Sequence, residues 1–144
     1  MLSGKNVLLA ITGSIAAYKS AYLVRGFIKS GSNVKVIVTE SALQFVTKVT
    51  LSTLSKNPVY KDFLKDENTG EWNNHVELGS WSDIMVIAPA TANTLSNLVS
   101  GKANSFFLAT FLSCNSPVFV APAMDLDMFQ NKSTKHNLDI LHKR

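Results

Sequence analysis

Residues 13–20, GSIAAYKS, fall one residue short of the glycine-rich loop that wraps a nucleoside triphosphate. That loop needs a second glycine where this chain has Tyr18. The backbone therefore cannot fold around a β-phosphate, and Lys19 is drawn into the turn that enters the helix. A dinucleotide fingerprint is excluded for a similar reason, since it needs G-x-G-x-x-G. What remains is Gly13, the Ser14 hydroxyl and the N–H groups of a starting helix. These suit a single phosphate monoester, and hence a mononucleotide-like ligand; the bland alternative is a plain strand–helix turn. Three other stretches offer small, hydroxyl or amide groups: TES at 39–41, PATANT at 89–94 and PAMD at 122–125. Taken singly each reads equally well as a turn, and Thr91 or Asn93 as a helix cap. His75 is the other chemical candidate, because histidine exchanges protons near neutral pH. Its ordinary alternative is an exposed loop histidine, which is the expectation for His136 and His142 in the polar tail.

The elements that must position these residues follow from periodicity. NVLLAI (Asn6–Ile11) is a continuous apolar run, as a parallel strand covered on both faces requires. Ile15, Tyr18, Lys19, Tyr22, Leu23, Gly26 and Phe27 then recur at helical spacing up to Gly31. NVKVIV (Asn33–Val38) is a second strand, followed by a short helix over 42–49 and a further helical turn at 51–54. Residues 62–74 are polar and read as a loop. Residues 84–88 and 117–121 are two more strands, each ended by proline. Between them lie a helix over 91–100 closed by Gly101 and an apolar helix, SFFLATFL, capped by Asn104. The tail from 134 reads as helical. Strand–turn–helix repeated four times predicts one α/β domain: a doubly wound parallel sheet, flavodoxin-like or Rossmann-like, in three layers. Each of the four special stretches follows a strand directly. Ligands of open α/β sheets sit beyond the carboxyl ends of the strands, so the four are expected to form one pocket, with Gly13, Asn93 and Ala123 close together.

The chain has 144 residues, 46% hydrophobic and 17% charged, which suits one folded domain spanning 1–144. The net charge of +4 comes from scattered lysines and from the final LHKR, with no clustered basic face, so no nucleic-acid partner is expected. No apolar run is long enough to cross a bilayer, and VLLAI is too short for a signal peptide. No membrane partner and a cytoplasmic location are expected. The single cysteine, Cys114, excludes an internal disulfide and a zinc cluster, so no metal site is expected.

TGSIAAYK, HVELGSWSDIMVIAPATANT and PAMDLDMFQN, in this order and over most of the chain, resemble the flavin-dependent cysteine decarboxylases. The resemblance implies FMN bound at a subunit interface of a homotrimer or a multiple of trimers. Gly13, Ser14 and Ile15 would hold its phosphate, with hydroxyls from Thr39 and Ser41. Thr91, Ala92, Asn93 and Thr94 would lie along the ring, where Asn93 suits the pyrimidine edge and the alanines at 90 and 92 leave room. His75 would be the catalytic histidine, and Met124 and Asp125 would meet the substrate. The implied substrate is 4′-phosphopantothenoylcysteine, on the path to coenzyme A, decarboxylated by thiol oxidation, loss of carbon dioxide and re-reduction. A peptidyl-cysteine substrate, or a non-catalytic flavoprotein acting as a regulatory subunit, is the alternative; a flavin prenyltransferase of the same fold fits His75 and PAMD less well.

Two departures from the family pattern stand out. Asp125 occupies the position of an asparagine that contacts the substrate carboxylate. An ionised aspartate cannot donate there, so it would need to carry a proton, use a bridging water, or serve instead as a helix cap. The mobile flap with its cysteine acid is not found after PAMD, so the chain reads as a shortened form or a piece of a longer decarboxylase–ligase chain. Cys114, in a helix-to-strand turn, is expected to be inert, and Met128 is expected in the core.

Overall fold

The computed structural model describes residues 2–143. The apolar run at the N-terminus forms β1 (Asn6–Ile11), with Val7 to Ile11 fully buried. It lies at the centre of a five-stranded parallel sheet of order β3-β2-β1-β6-β7. Here β2 is Asn33–Val38, β3 is Val59–Tyr60, β6 is Ile84–Ala90 and β7 is Val118–Pro122. Asn6 to Ile11 lie opposite Asn33 to Val38 on one side, and Val7 to Ala10 opposite Ile84 to Ile87 on the other.

Alternation along the strands feeds two cores. Val7, Leu9 and Ile11 join Val34, Val36 and Val38 on one face, under α1 (Ser20–Lys29) and α2 (Lys48–Ser55). Leu8 and Ala10 join Met85 and Ile87 on the other, under α3 (His75–Trp81), α4 (Ala92–Ser100) and α5 (Phe106–Ser113). Each fully buried aliphatic side chain contributes about 1.5–3 kcal/mol, so burying both faces of β1 fixes it as the sheet's centre. The result is the expected three-layer α/β sandwich. After β1 the chain moves outward through β2 and β3, then returns to β6 on the opposite side. The connections therefore diverge between β1 and β6, the switch point at which a crevice opens.

Several local expectations are corrected. A fifth strand, β3, joins the sheet edge, where it is too short to show a period. Residues 62–74 are not merely a loop: they hold an antiparallel hairpin of β4 (Leu64–Asp66) and β5 (Glu71–Trp72), turning at Gly70 with φ of 73°. The helix after Gly13 begins as a 3-10 turn, Ile15–Lys19, before α1. Its inward face carries Ala17, Ser20 and Val24, and Ile15, Tyr18 and Tyr22 point to solvent. The helix expected over 42–49 is a 3-10 turn, Ser41–Gln44, separated from α2 by Thr47, which caps α2. Ser105, not Asn104, caps α5, its hydroxyl accepting from Leu108 N. Pro89 does not end its strand, since β6 runs through it to Ala90, whereas Pro122 is the last residue of β7. The tail forms α6 (Leu126–Gln130) and α7 (Lys132–Lys143), the latter carrying exposed His136 and His142. Among the described residues no helix is long and apolar enough to cross a membrane.

Candidate functional site

Backbone and hydroxyl contacts stitch the four strand ends together. Thr12, buried at the end of β1, donates from Oγ1 to the Pro89 carbonyl at 2.6 Å and accepts from Thr91 N at 3.2 Å. Ala123 N donates to the Ala90 carbonyl at 3.0 Å, joining β7's loop to β6's. Thr39 N donates to the Ile11 carbonyl at 3.1 Å, holding the turn after β2 beside β1. That turn packs on Gly13. A Cβ at position 13 would collide with the Ser41 side chain and come within 3.0 Å of the Ser41 carbonyl carbon. Glycine is thus required by close approach. Thr12 is a positioning residue that sequence reasoning did not single out, although it opens the TGSI stretch.

Between these ends lies a cleft of about 360 Å³. Gly13, Ser14, Ser41, Thr91, Ala92, Asn93, Ala123, Met124 and Asp125 all line it. Met128 lines it too, 47% exposed, which corrects the expectation of a core methionine. The five-residue α6 is too short to bury a face, and none of its residues is buried. The remaining named residues sit around the cleft. Ile15 starts the 3-10 turn and is 75% exposed. Thr39 Oγ1 lies 3.2 Å from Ser41 Oγ, so the two hydroxyls form one cluster. Thr94 turns inward: it is buried, and its hydroxyl accepts from Thr91 Oγ1 at 3.0 Å. Thr91 caps α4 by accepting from Thr94 N, so the cap reading and the cleft reading hold together. Asp125 occupies the N-cap position of α6, but its side chain makes no capping hydrogen bond and stands in the cleft wall.

His75 is not among the residues lining this cleft. It is the first residue of α3, set by Asn74, whose Oδ1 accepts from Val76 N at 3.1 Å and Glu77 N at 3.0 Å. Its ring stands edge-on to Phe63, Trp72 and Phe106, and Nδ1 is buried with no hydrogen-bond partner. One chain therefore assembles the pocket but leaves the histidine outside it. Cys114 is partly buried, its thiol 3.0 Å from Ser116 Oγ.

Charge near the cleft is arranged through the turn after β2. Glu40, between Thr39 and Ser41, pairs with Lys61 at 2.5 Å, and Lys61 also reaches Asp62 at 3.0 Å. Hydrogen bonding to Glu40, then to Asp62, raises the Lys61 pKa above its ordinary value. The Glu40 charge is thus turned toward Lys61, leaving hydroxyls rather than a carboxylate beside Gly13. A bare glycine backbone with a cluster of serine and threonine hydroxyls fits a phosphate monoester. Asn93 between small side chains fits the edge of a flat ring.

The family model described as Flavoprotein matches residues 1–144. The chain is similar to the Coenzyme A biosynthesis bifunctional protein CoaBC of Bacillus subtilis, 39% identical over 143 residues, 99% of this chain and 35% of that one. It is also similar to a Cysteine/Cysteine sulfinic acid decarboxylase from an unknown prokaryotic organism, 52% identical over 96 residues, 67% of this chain and 26% of that one. The chain thus spans about a third of the length of the curated relatives it matches. Among solved structures it resembles a cysteine-to-serine mutant of PPC decarboxylase complexed with pantothenoylaminoethenethiol. The TM-score there is 0.84 at 34% identity, covering 97% of this chain and 78% of that one. On the match of its whole length, the chain belongs to the Flavoprotein family.

Proposed function

We propose that this chain is an FMN-dependent decarboxylase that removes the cysteinyl carboxylate of 4′-phosphopantothenoylcysteine, on the route to coenzyme A. The observation carrying this reading is the convergence of Gly13, Ser14, Ser41, Asn93, Ala123 and Asp125 on one cleft at the switch point of the sheet. Gly13, Ser14 and Ile15, with the Thr39 and Ser41 hydroxyls, would hold the FMN phosphate; Thr91, Ala92 and Asn93 would lie along the ring. When bound, FMN would supply the two-electron redox chemistry needed at the cysteinyl end. The protein orients the reactants. Ala92 and Ala123 admit a flat ring against the backbone, Met124 and Met128 give an apolar wall, and Asp125 stands where the substrate carboxylate would approach. His75 would hold or move the proton.

Because His75 lies outside its own chain's cleft, the site would be completed by a second copy. We infer a homotrimer in which each cleft borrows the histidine of a neighbour. The exposed Ile15, Tyr18 and Tyr22 beside the cleft support this assembly. A second reading, decarboxylation of free cysteine or cysteine sulfinate, is favoured by the 52% identity over 96 residues to the decarboxylase of those acids.

The experiment is the absorbance spectrum of the purified protein, followed by carbon dioxide release from 4′-phosphopantothenoylcysteine, cysteine and cysteine sulfinate. A flavin spectrum with release from the first alone is expected. Release only from the free amino acids would transfer the activity to the second reading, and a protein that does not bind FMN would end both.

A further inference from the structure

The β4–β5 hairpin belongs to neither face of the sheet, yet its two ends converge on His75. Phe63 precedes β4, and Trp72 closes β5. Asn73 ties them at the base: its N donates to the Phe63 carbonyl at 2.7 Å and its Nδ2 to the Asp62 carbonyl at 2.8 Å. The next residue is Asn74, the cap that starts α3 at His75. The imidazole meets Phe63 with centroids 5.7 Å apart at 89°, Trp72 at 6.4 Å and 61°, and Phe106 at 6.4 Å and 85°. Phe106 is itself fixed, fully buried at the start of α5 and 5.8 Å from Phe63. Nδ1 is enclosed in this shell, and no polar atom reaches it.

We propose that the hairpin is the positioning device for His75: Phe63 and Trp72, with Phe106 beneath, hold the imidazole in the tautomer whose proton is on Nε2. The inference rests on the reading of His75 as the proton-handling residue and deepens it. A neutral imidazole carries one N–H and one lone pair, and the surroundings of each nitrogen decide which is which. Placing N–H at the enclosed position would bury an unsatisfied donor, the rarer and costlier defect; an enclosed lone pair is better tolerated. A ring face offers an N–H only a second-order contact. The accessible nitrogen is then Nε2, and it presents a donor. His75 would meet the substrate as a hydrogen-bond donor to an anion, a thiolate or a carboxylate, with Nε2 as the atom that holds the proton. Phe63, Trp72 and Phe106 are positioning residues that act through it.

The test is the tautomer of His75, read by long-range proton–nitrogen correlation NMR on the ¹⁵N-labelled protein, with His75→Asn used to assign the signal. A proton on Nε2 is expected; a proton on Nδ1, or signals averaged between the two, would overturn the proposal. A Phe63→Leu/Trp72→Leu double variant, with circular dichroism and melting unchanged as the control for folding, is expected to mix the tautomers. It should also lower kcat by about ten-fold, less than the roughly 100-fold or more expected when a general acid–base group is removed outright. An unaltered tautomer in the folded variant would remove the hairpin's role. If that variant does not fold, His75→Gln decides, because its amide nitrogen can replace Nε2 as a donor. Partial turnover that His75→Asn lacks is expected, and equal loss in both would overturn donation by Nε2. The underlying reading fails separately, if His75→Asn leaves turnover intact.

Discussion

At the scale of residues, Gly13 and Asp125 are the two positions where one atom or one charge decides the outcome. Gly13 lies so close to Ser41 that any side chain must displace the turn after β2. Forcing a methyl into so tight a contact costs about 1–3 kcal/mol. In Gly13→Ala that strain falls on the hydroxyl cluster assigned to the phosphate. FMN affinity is expected to drop, measured by quenching of flavin fluorescence on titration of the apoprotein, with folding largely kept. Asp125 faces the cleft with no capping partner, so its carboxylate is free to confront an incoming one. If the substrate carboxylate approaches there as proposed, like charges would be unfavourable, and an amide would donate instead. Asp125→Asn is therefore expected to lower KM by about ten-fold, or 1.4 kcal/mol, with FMN affinity unchanged. A raised KM would mean that the aspartate contacts a cationic or hydroxyl group of the substrate.

At the scale of elements, Lys61 links the turn after β2 to the segment entering the hairpin through Glu40 and Asp62. Its pKa is raised, first by the hydrogen bond to Glu40 and then by that to Asp62. A raised lysine pKa stabilises the fold fully below the unfolded value of about 10.4 and loses that contribution as pH climbs through the folded value. Unfolding free energies of the parent and Lys61→Met from urea titration should differ at pH 8 by less than about 1 kcal/mol, since Glu40 is 81% exposed, and converge as pH climbs through the raised folded value. A gap that persists at high pH would assign the effect to packing of the lysine stem. The elements that sequence made legible are those with strong periods: β1, β2, β6 and β7 from apolar runs, and α4 from Thr91 and Gly101. The hairpin was hidden because two- and three-residue strands of Leu, Lys, Asp, Glu and Trp carry no alternation. The exposed Ile15, Tyr18 and Tyr22 defeated the helical pattern for another reason. Small Ala17 and Ser20 face the sheet, and the large residues are left exposed. The same limit applies to the site. Strand ends and small residues located the cleft, whereas the separation of His75 from it depends on tertiary placement that no motif encodes.

At the scale of the molecule, those outward residues and the displaced histidine have a common explanation. A groove of about 260 Å³, lined by Ala16, Lys19, Leu23, Ala121 and Pro122, shares Ala123 with the cleft, and Ile15, Tyr18 and Tyr22, from the same helical segment as its Ala16, Lys19 and Leu23, are exposed. Phe119 on β7 and Leu126 on α6 are also exposed. Apolar side chains of this size, grouped beside a ligand site, mark an association surface. Closed homo-oligomers repeat one such contact around an axis, so a three-fold arrangement would cover the groove and bring each His75 to another chain's cleft. Sedimentation equilibrium is expected to give three times the chain mass of 15.7 kDa. Tyr22→Lys places a charge on that surface, 74% exposed in the single chain, and so should leave the monomer fold intact. It is expected to dissociate the assembly and to abolish turnover together, with activity recovering as protein concentration rises. Mixing His75→Asn with a cleft variant, Asn93→Ala, separates the cases further. If the histidine is borrowed, mixed trimers regain turnover that neither variant shows alone, and no recovery would put histidine and cleft on the same chain. A monomer that turns over at full rate would show that His75 reaches its own cleft by a local movement instead.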